Sequence, residues 1–230
     1  RWRSNIVDLH TNYISLYTGS GQLDKGFEQG LIENGFASPK PVCYVERDFE
    51  ATALLVDKIL AGEMGEAPIW TDSESFNCKP FVGKVDAIVG GFPCQPWSVA
   101  GRKEGEDDKR WLWEHIKRIV NEIRPKIIFL ENVSGLISGG GLATVLSSLT
   151  EIGYDAKWVS LPASSVGASH RRERVFILAH PTGERLERWN KERNRLLRTG
   201  HSSRTMDDTE HNGCSTTKIT GNTRQRSYND

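Results

Sequence analysis

A cysteine held between two prolines is the clearest candidate for chemistry in this sequence. The segment Gly90-Gly91-Phe92-Pro93-Cys94-Gln95-Pro96 follows the apolar run Val85–Val89. If that run is a buried strand, Cys94 lies at its carboxyl end, where ligands bind in open α/β sheets. Glycines let the loop approach a ligand and prolines stiffen it, which suits a positioned thiolate nucleophile. The alternative is a buried structural cysteine, but packing needs no rigid loop.

A glutamate closes a second apolar run in the same manner. Ile127-Ile128-Phe129-Leu130 leads directly into Glu131-Asn132-Val133. Apolar surroundings raise the pKa of a carboxyl group, so Glu131 is expected to hold or share a proton near neutral pH. The alternative is a glutamate that caps the next segment or pairs with an arginine.

A glycine turn follows the first apolar run and opens the first helical pattern. The residues are Leu16-Tyr17-Thr18-Gly19-Ser20-Gly21-Gln22, and Glu46 lies 25 residues after Gly21. Glycines in such a turn admit a nucleotide-like ligand, and an acid at about this distance binds a ribose diol. The third glycine of the dinucleotide pattern is missing. A simple tight turn, with Glu46 as a capping or surface residue, is therefore the alternative.

A cationic segment precedes the last apolar run. It reads His170-Arg171-Arg172-Glu173-Arg174 and leads into Val175–Ala179. Guanidinium groups here could bind phosphates or carbonyl oxygens. A solvated strand edge that discourages aggregation explains the same pattern equally well.

Strand and helix patterns alternate over the first 180 residues. The predicted strands are Tyr13–Tyr17, Val42–Val45, Val85–Val89, Lys126–Leu130, Lys157–Leu161 and Val175–Ala179, and the predicted helices are Leu23–Glu33, Asp48–Leu60, Leu112–Glu122 and Leu142–Ile152. The runs lack period-two alternation, which is typical of strands buried on both faces of a parallel sheet. We therefore predict an α/β fold with a Rossmann-like, doubly wound, mostly parallel sheet. The short connection before Val175 suits a hairpin, so the last strand is expected to run antiparallel.

Charge and composition divide the chain unequally. The 230 residues carry 30 basic and 30 acidic side chains, but residues 181–230 hold ten basic and seven acidic ones and only eight hydrophobic residues. So few apolar residues cannot offset the entropy of ordering. We predict an N-terminal lead (1–12), a folded domain (13–180) and a polar, disordered tail (181–230), in which 184–198 could form a helix.

Several classes of protein are excluded by the same sequence. No apolar run reaches the 18 residues of a membrane span, and the N-terminal residues lack the apolar core of a signal peptide. The four cysteines (Cys43, Cys78, Cys94 and Cys214) are widely spaced. That spacing suits neither a disulfide framework nor a zinc site and fits a reducing cytoplasm. Zero net charge by itself does not indicate a nucleic-acid-binding protein.

Taken together and in this order, these motifs resemble the C5-cytosine DNA methyltransferase family over roughly residues 13–179. The matching segments are Tyr17-Thr18-Gly19-Ser20-Gly21, Glu46, Trp70-Thr71-Asp72, Pro93-Cys94-Gln95, Asp108-Lys109-Arg110-Trp111-Leu112, Glu131-Asn132-Val133 and His170-Arg171-Arg172-Glu173-Arg174. Three positions depart from the usual pattern, namely Tyr17 for Phe, Gln22 for Gly and His170 for Gln. Five or more elements in the family order do not arise by chance.

The resemblance implies a function and assigns roles to these residues. It implies transfer of a methyl group from S-adenosylmethionine to C5 of a cytosine flipped out of double-stranded DNA. The implied catalytic residues are Cys94, Glu131, Arg172 and Arg174, and those that contact DNA are Gln95, Ser98 and Arg172. The implied cofactor residues are Tyr17, Gly19, Gly21, Glu46, Asp72, Pro93 and Leu112. No metal is expected.

The resemblance also sets expectations about what surrounds this domain. Family members continue into a target-recognition domain and return with a final Gly-Asn element, neither of which residues 181–230 resemble. We therefore expect a truncated catalytic domain, whose activity alone is an open question. Further expectations are a cytoplasmic, bacterial or phage-encoded monomer and a cognate restriction endonuclease as partner.

Three other functions share parts of the pattern. A dinucleotide-dependent oxidoreductase explains the glycine turn and Glu46 but needs neither Cys94 nor Glu131. A catalytically idle DNA-binding remnant predicts salt-sensitive DNA binding without chemistry. An RNA-directed member of the same fold is less favoured by the Pro-Cys-Gln loop.

Overall fold

The computed structural model describes residues 11–35, 39–93 and 111–183. Seven strands are present in these ranges: β1 (Asn12–Leu16), β2 (Lys40–Val45), β3 (Ile69–Trp70), β4 (Ala87–Gly91), β5 (Ile127–Val133), β6 (Tyr154–Pro162) and β7 (Glu173–Pro181). The α-helices are α1 (Gln22–Glu33), α2 (Phe49–Leu60), α3 (Trp113–Ile123), α4 (Gly135–Ser138) and α5 (Gly141–Glu151). Short 3-10 turns occupy Lys79–Phe81 and Ala163–Val166.

The strands form one mixed sheet in the order β3-β2-β1-β4-β5-β7-β6. The first five strands in this order are parallel to one another, and β7 pairs antiparallel with both β5 and β6. The chain moves outward from β1 in one direction through β2 and β3, and in the other through β4 and β5. The carboxyl ends of β1 and β4 therefore flank the point where strand order reverses, which is where such sheets bind ligands.

The predicted doubly wound, mostly parallel sheet is confirmed, including the antiparallel last strand. Each predicted strand and helix is present with its ends moved by a few residues, and β1 begins at Asn12, one residue before the predicted domain boundary. Strand β3 was not predicted, because two residues are too few to show a periodicity. The domain was predicted to end at 180, but β7 continues to Pro181, one residue into the predicted tail. Residues 184–230, which include the possible helix at 184–198, lie outside the described residues.

Two apolar layers hold the sheet. One face packs on α3 and α5 through a large core that includes Ile88, Ile128 and Trp113, all 0% exposed. The other face packs on α1, where Phe27 meets Tyr13 edge-on and stacks on Phe129. Burial on both faces explains why the central strands are apolar without alternation.

Toward the β6 edge, the face that carries α1 is less covered. Val159, Leu161 and Leu178 are 40–49% exposed. In β7 the burial alternates, with Val175, Ile177 and Ala179 buried on the opposite face.

The described residues form neither a membrane-spanning helix nor a metal-binding cluster. Of the helices in the described ranges, none is long and apolar enough to cross a bilayer. Residues 11–35, 39–93 and 111–183 also contain no cluster of three or more His, Cys, Asp or Glu side chains arranged to hold a metal ion.

Candidate functional site

A cavity of about 590 Å³ opens at the carboxyl ends of β1, β2 and β4. Five of the predicted cofactor residues line it, namely Tyr17, Glu46, Asp72, Pro93 and Leu112. The other lining residues are Val45, Arg47, Asp48, Phe49, Thr71, Ser73, Glu74, Gly91 and His115. The volume is that of a pocket for a nucleoside-sized molecule. Segments that are far apart in sequence therefore meet at the predicted edge of the sheet.

The glycine turn between β1 and α1 forms one wall of this site. Tyr17, Gly19 and Gly21 all have positive φ, of 55°, 56° and 74°. The backbone N–H of Tyr17 donates to the carbonyl of Val45 at 2.7 Å, and that of Gly21 donates to the carbonyl of Thr18 at 2.9 Å. Positive φ suits glycine and is uncommon for tyrosine, so the turn is held by its contacts as well as by its residue types.

Gly21 also lies against another side chain. A Cβ added at Gly21 would overlap the sulfur of Met64. The glycine is thus required by its backbone conformation, and any side chain there would also displace the flexible end of Met64.

We expect Gly21→Ala to destabilise the fold by about 2 kcal/mol, because left-handed φ costs an L-residue about 1–2 kcal/mol and Met64 must also move. Urea unfolding measures this change. The matched control is Gly26→Ala in the middle of α1, where the new Cβ meets nothing within 4 Å. That control should be neutral or slightly stabilising. Equal stabilities of the two variants would contradict this account of the turn.

Glu46 connects the glycine turn to the start of α2. It is 9% exposed, and its Oε2 accepts the Gly19 N–H at 2.7 Å while Oε1 accepts the Asp48 N–H at 2.8 Å. The N-cap of α2 is Asp48, whose side chain accepts the Ala51 N–H at 2.8 Å. Glu46 is therefore neither a surface residue nor the cap of α2. Each of its oxygens keeps a second lone pair, and the carboxylate lines the cavity.

Asp72, which also lines the cavity, lies in the loop after β3. Its carboxylate accepts the backbone N–H groups of Glu74 and Ser75, both at 3.1 Å. Hydrogen bonds from Ser75 and then from Glu74 hold the pKa of Asp72 below its usual range, so the group remains ionised. The Tyr17 hydroxyl donates to Ser73 Oγ at 2.9 Å, which connects the glycine turn to this loop.

Arg118, on α3, holds the loop after β3 in place through hydrogen bonds to its backbone. Its guanidinium donates to the carbonyl oxygens of Ser73 at 2.9 Å, Glu74 at 3.1 Å and Phe76 at 3.2 Å. Five N–H donors in a planar fork suit such multiple acceptance. The role of Arg118 was not predicted, since backbone carbonyls have no sequence signature and the bonded residues are more than 40 positions away. The cavity residue His115 was not predicted either.

The segment that carries the predicted nucleophile is described up to Pro93. Cys94, Gln95 and Ser98 lie outside the described residues, as do Asp108, Lys109 and Arg110. Its approach is fixed by Asn132, 2% exposed, whose side-chain amide donates to the Phe92 carbonyl at 3.2 Å. Asn132 belongs to the Glu131-Asn132-Val133 motif, but a separate role for it was not predicted from the sequence.

Glu131 stands beside this segment. Gly91 and Glu131 are register partners between β4 and β5, and a Cβ on Gly91 would lie 3.3 Å from Glu131 Oε2. Gly91 also lines the cavity. Gly91 therefore contacts both the cavity and Glu131, so the two are adjacent.

Glu131 forms an ion pair with Arg174. Arg174 Nε lies 2.7 Å from Glu131 Oε1, and the two side chains are 22% and 26% exposed. The pairing follows from β5 and β7 running antiparallel, which places Arg174 opposite Val133. Burial raises the pKa of Glu131, and the positive charges of Arg174 and Arg172 oppose that rise. The Arg-paired alternative for Glu131 is thus realised, in a place where the acid is also next to the cavity.

We expect Arg174→Gln to raise the pKa of Glu131 further, because the nearest stabilising positive charge is lost. Titration of the Glu131 carboxyl carbon by NMR measures the change directly. The control is Arg171→Gln, on the same segment, whose side chain is exposed. An unchanged or lowered pKa in Arg174→Gln would show that the ion pair does not control this acid.

The predicted residues thus fall into two neighbouring groups. Tyr17, Glu46, Asp72, Pro93 and Leu112 line the cavity, with Gly19 and Gly21 shaping its wall. Glu131 and Arg174 form the second group, and the positive charge of Arg172 is close enough to oppose the rise of the pKa of Glu131.

Comparison with known proteins was made on sequence and on structure. The family model for C-5 cytosine-specific DNA methylase matches residues 11–229. The Type II methyltransferase M.CviJI of Paramecium bursaria Chlorella virus IL3A is 38% identical over 140 residues, which are 60% of this chain and 37% of that protein. The Type II methyltransferase M.AgeI of Thalassovita gelatinovora is 32% identical over 187 residues, 76% of this chain and 40% of that protein.

A solved structure supports the fold independently. A crystal structure of a DNMT2 mutant from Spodoptera frugiperda matches with a TM-score of 0.58 at 21% identity, over 75% of this chain and 50% of that one. The chain spans about two fifths of the length of the two Type II methyltransferases. On the extent of the family match, this chain belongs to the C-5 cytosine-specific DNA methylase family.

Proposed function

We propose that this protein is a DNA (cytosine-5-)-methyltransferase that uses S-adenosylmethionine and a covalent adduct at Cys94. The observation that carries the proposal is the cavity at the sheet switch point, which five predicted residues line and which Gly91 separates from Glu131. In this proposal residues 13–180 are the catalytic unit, 1–12 are a short lead and 181–230 begin a part that recognises DNA.

The residues of the cavity fit an adenosyl cofactor. Glu46 presents a buried carboxylate to a ribose diol, and Asp72 presents an ionised carboxylate to the adenine. The glycine turn leaves the backbone close to the ligand, and Pro93 and Leu112 supply apolar contact. When bound there, S-adenosylmethionine supplies an electrophilic methyl group on a sulfonium.

The target base requires activation, because C5 of cytosine is a poor nucleophile. The Cys94 thiolate forms a bond to C6, and Glu131 gives a proton to N3, so the ring becomes an enamine that is nucleophilic at C5. After methyl transfer, loss of the C5 proton and expulsion of the Cys94 thiolate restore the aromatic ring. Arg172 and Arg174 bind the base O2 and the nearby backbone, and Gln95 and Ser98 contact DNA.

The raised pKa of Glu131 supports this assignment. Burial raises the pKa of its carboxyl group, which favours the protonated form that a donor needs. The Arg174 ion pair limits that rise and orients the carboxyl group toward Gly91. The base must leave the duplex to reach this place, so the substrate is a flipped cytosine.

The experiment is methyl transfer from cofactor labelled in its methyl group to double-stranded DNA of mixed sequence. We expect label in 5-methylcytosine after digestion, confined to one sequence context. Label in another base, or none from the whole polypeptide that contains these residues, would contradict the proposal. Tight binding of a nicotinamide dinucleotide instead of the adenosyl cofactor would favour an oxidoreductase.

The names of the relatives bear on partners. M.CviJI and M.AgeI are named Type II methyltransferases. On that likeness we propose that this protein acts in the cytoplasm as a monomer on double-stranded DNA, alongside a restriction endonuclease that cuts the same sequence.

A further inference from the structure

Asp24 is a buried acid for which the proposed mechanism has no use. It lies in the first turn of α1 and is 1% exposed. Its Oδ1 has no hydrogen-bond partner among the described residues. A buried carboxyl oxygen without a partner costs free energy, so its presence directly beneath the glycine turn needs a physical explanation.

Two hydroxyl side chains connect Asp24 to that turn. The Ser15 side chain lies close enough to the Asp24 carboxyl group to oppose the rise of its pKa. The Thr18 hydroxyl in turn donates to Ser15 Oγ at 2.9 Å. Ser15 and Thr18 are 1% and 7% exposed, so water does not compete for these bonds. The turn that lines the cavity is thereby linked through two side chains to one acid.

The groups that face Asp24 come from three elements. Tyr13 of β1 donates its hydroxyl to Glu28 Oε1 at 2.8 Å, and Tyr44 of β2 donates to the Gly65 carbonyl at 2.9 Å. Both phenol protons are therefore committed to other acceptors. On α1, Glu28 adds a like charge, and the exposed Lys25 lies 3.5 Å from Glu28.

These surroundings favour the neutral acid. Burial first, and then the charge of Glu28, raise the pKa of Asp24 to about 7, against the opposing effects of Ser15 and Lys25. Both forms of Asp24 are consequently populated near neutral pH.

The two forms order the hydrogen bonds differently. An ionised carboxylate can only accept, so Ser15 donates to Asp24 and its oxygen is left to accept from Thr18. A neutral carboxyl group can instead donate to Ser15, which reverses the direction of the hydrogen bond between these two side chains. We propose that Asp24 is a positioning residue for the cofactor turn, and that its ionisation, relayed through Ser15 and Thr18, strengthens binding of the adenosyl cofactor. This inference rests on the proposed function of the cavity.

The test is the affinity for S-adenosylhomocysteine, measured by calorimetry from about pH 6 to about pH 8.5 on the full chain. We expect the wild-type affinity to rise about five- to tenfold over this range. Asp24→Asn should show only the pH dependence of the ligand itself, and Ser15→Ala should lose most of the rise although Asp24 remains. The control Glu33→Gln, exposed on the same helix, should behave as wild type. Equal pH dependence in Asp24→Asn and wild type would overturn the inference.

A second measurement separates this inference from the proposed function and needs no variant to fold. In the wild-type chain without ligand, the amide signals of Thr18 and Gly19 should titrate by NMR with the same midpoint as the Asp24 carboxyl carbon. If they do so but no adenosyl ligand binds, the proposed function fails and the relay stands. If the amides do not follow Asp24, the relay is wrong whether or not ligand binds.

Discussion

Replacement of Cys94 by alanine or serine is expected to reduce methyl transfer by at least about 1,000-fold, since the covalent route to activate C5 is lost. The described strand β4 leads through Phe92 and Pro93 to this residue, and Asn132 fixes the Phe92 carbonyl. The same variants should form no adduct with DNA that contains 5-fluorocytosine, whereas the wild-type protein should form one that survives denaturation. In 5-fluorocytosine the fluorine cannot leave as the C5 proton does, so the enzyme remains attached.

The structure supplies a matched control for this experiment. Cys43 and Cys78 are buried free thiols, and burial raises the pKa of Cys43 to about 11 and that of Cys78 to about 12. Neither thiol is ionised near neutral pH, so neither is a competent nucleophile. Cys43→Ala should keep adduct formation. Loss of the adduct in Cys43→Ala, or its survival in Cys94→Ser, would contradict the assignment.

Glu131→Gln is expected to lower the rate of transfer by about 100- to 10,000-fold, the range for loss of a general acid. The amide keeps the size of the side chain but has no acidic proton to give to N3. Glu173→Gln is the control, because Glu173 is an exposed carboxylate in the same region that bonds only Ser160 at 2.7 Å among the described side chains. The rate of methyl transfer by the Glu173→Gln control should stay within about twofold of the wild-type rate.

The pH dependence of the rate provides a further test of Glu131. Burial raises its pKa, and the protonated form is the active donor, so single-turnover rates should fall as the pH rises through that raised value. In Glu131→Gln this alkaline decline should disappear, since the group no longer titrates. An identical decline in the variant would show that another group causes it.

The sequence identified the chemical elements of the site because each is local. The glycine turn, the Pro93-Cys94 segment and Glu131 each follow an apolar run, and the carboxyl ends of parallel strands share one edge of a sheet. Glu46 was found in the same way, from its spacing after Gly21. The two hydrogen bonds that Glu46 accepts from Gly19 and Asp48 were not predictable, because they depend on how β1 and α2 approach it.

Long-range contacts account for what the sequence analysis missed. Arg118 contacts carbonyls more than 40 positions away, and any residue type can supply a carbonyl. The Arg174 and Glu131 pair requires β7 to run antiparallel beside β5 in one particular register. The sequence pattern alone did not decide whether Arg174 belongs to a solvated strand edge or has a functional guanidinium group.

The sequence by itself determined the fold class, the family and the order of the motifs, since strand burial and turn chemistry depend on residues that are close together in the chain. Only the tertiary structure decided which acids are buried, which arginine meets Glu131, and that Asp24 lies beneath the glycine turn with an oxygen left unpaired. The physical reason is that the pKa and the hydrogen-bond partners of a side chain depend on desolvation and distance. Those quantities arise only when residues far apart in the chain are packed against one another.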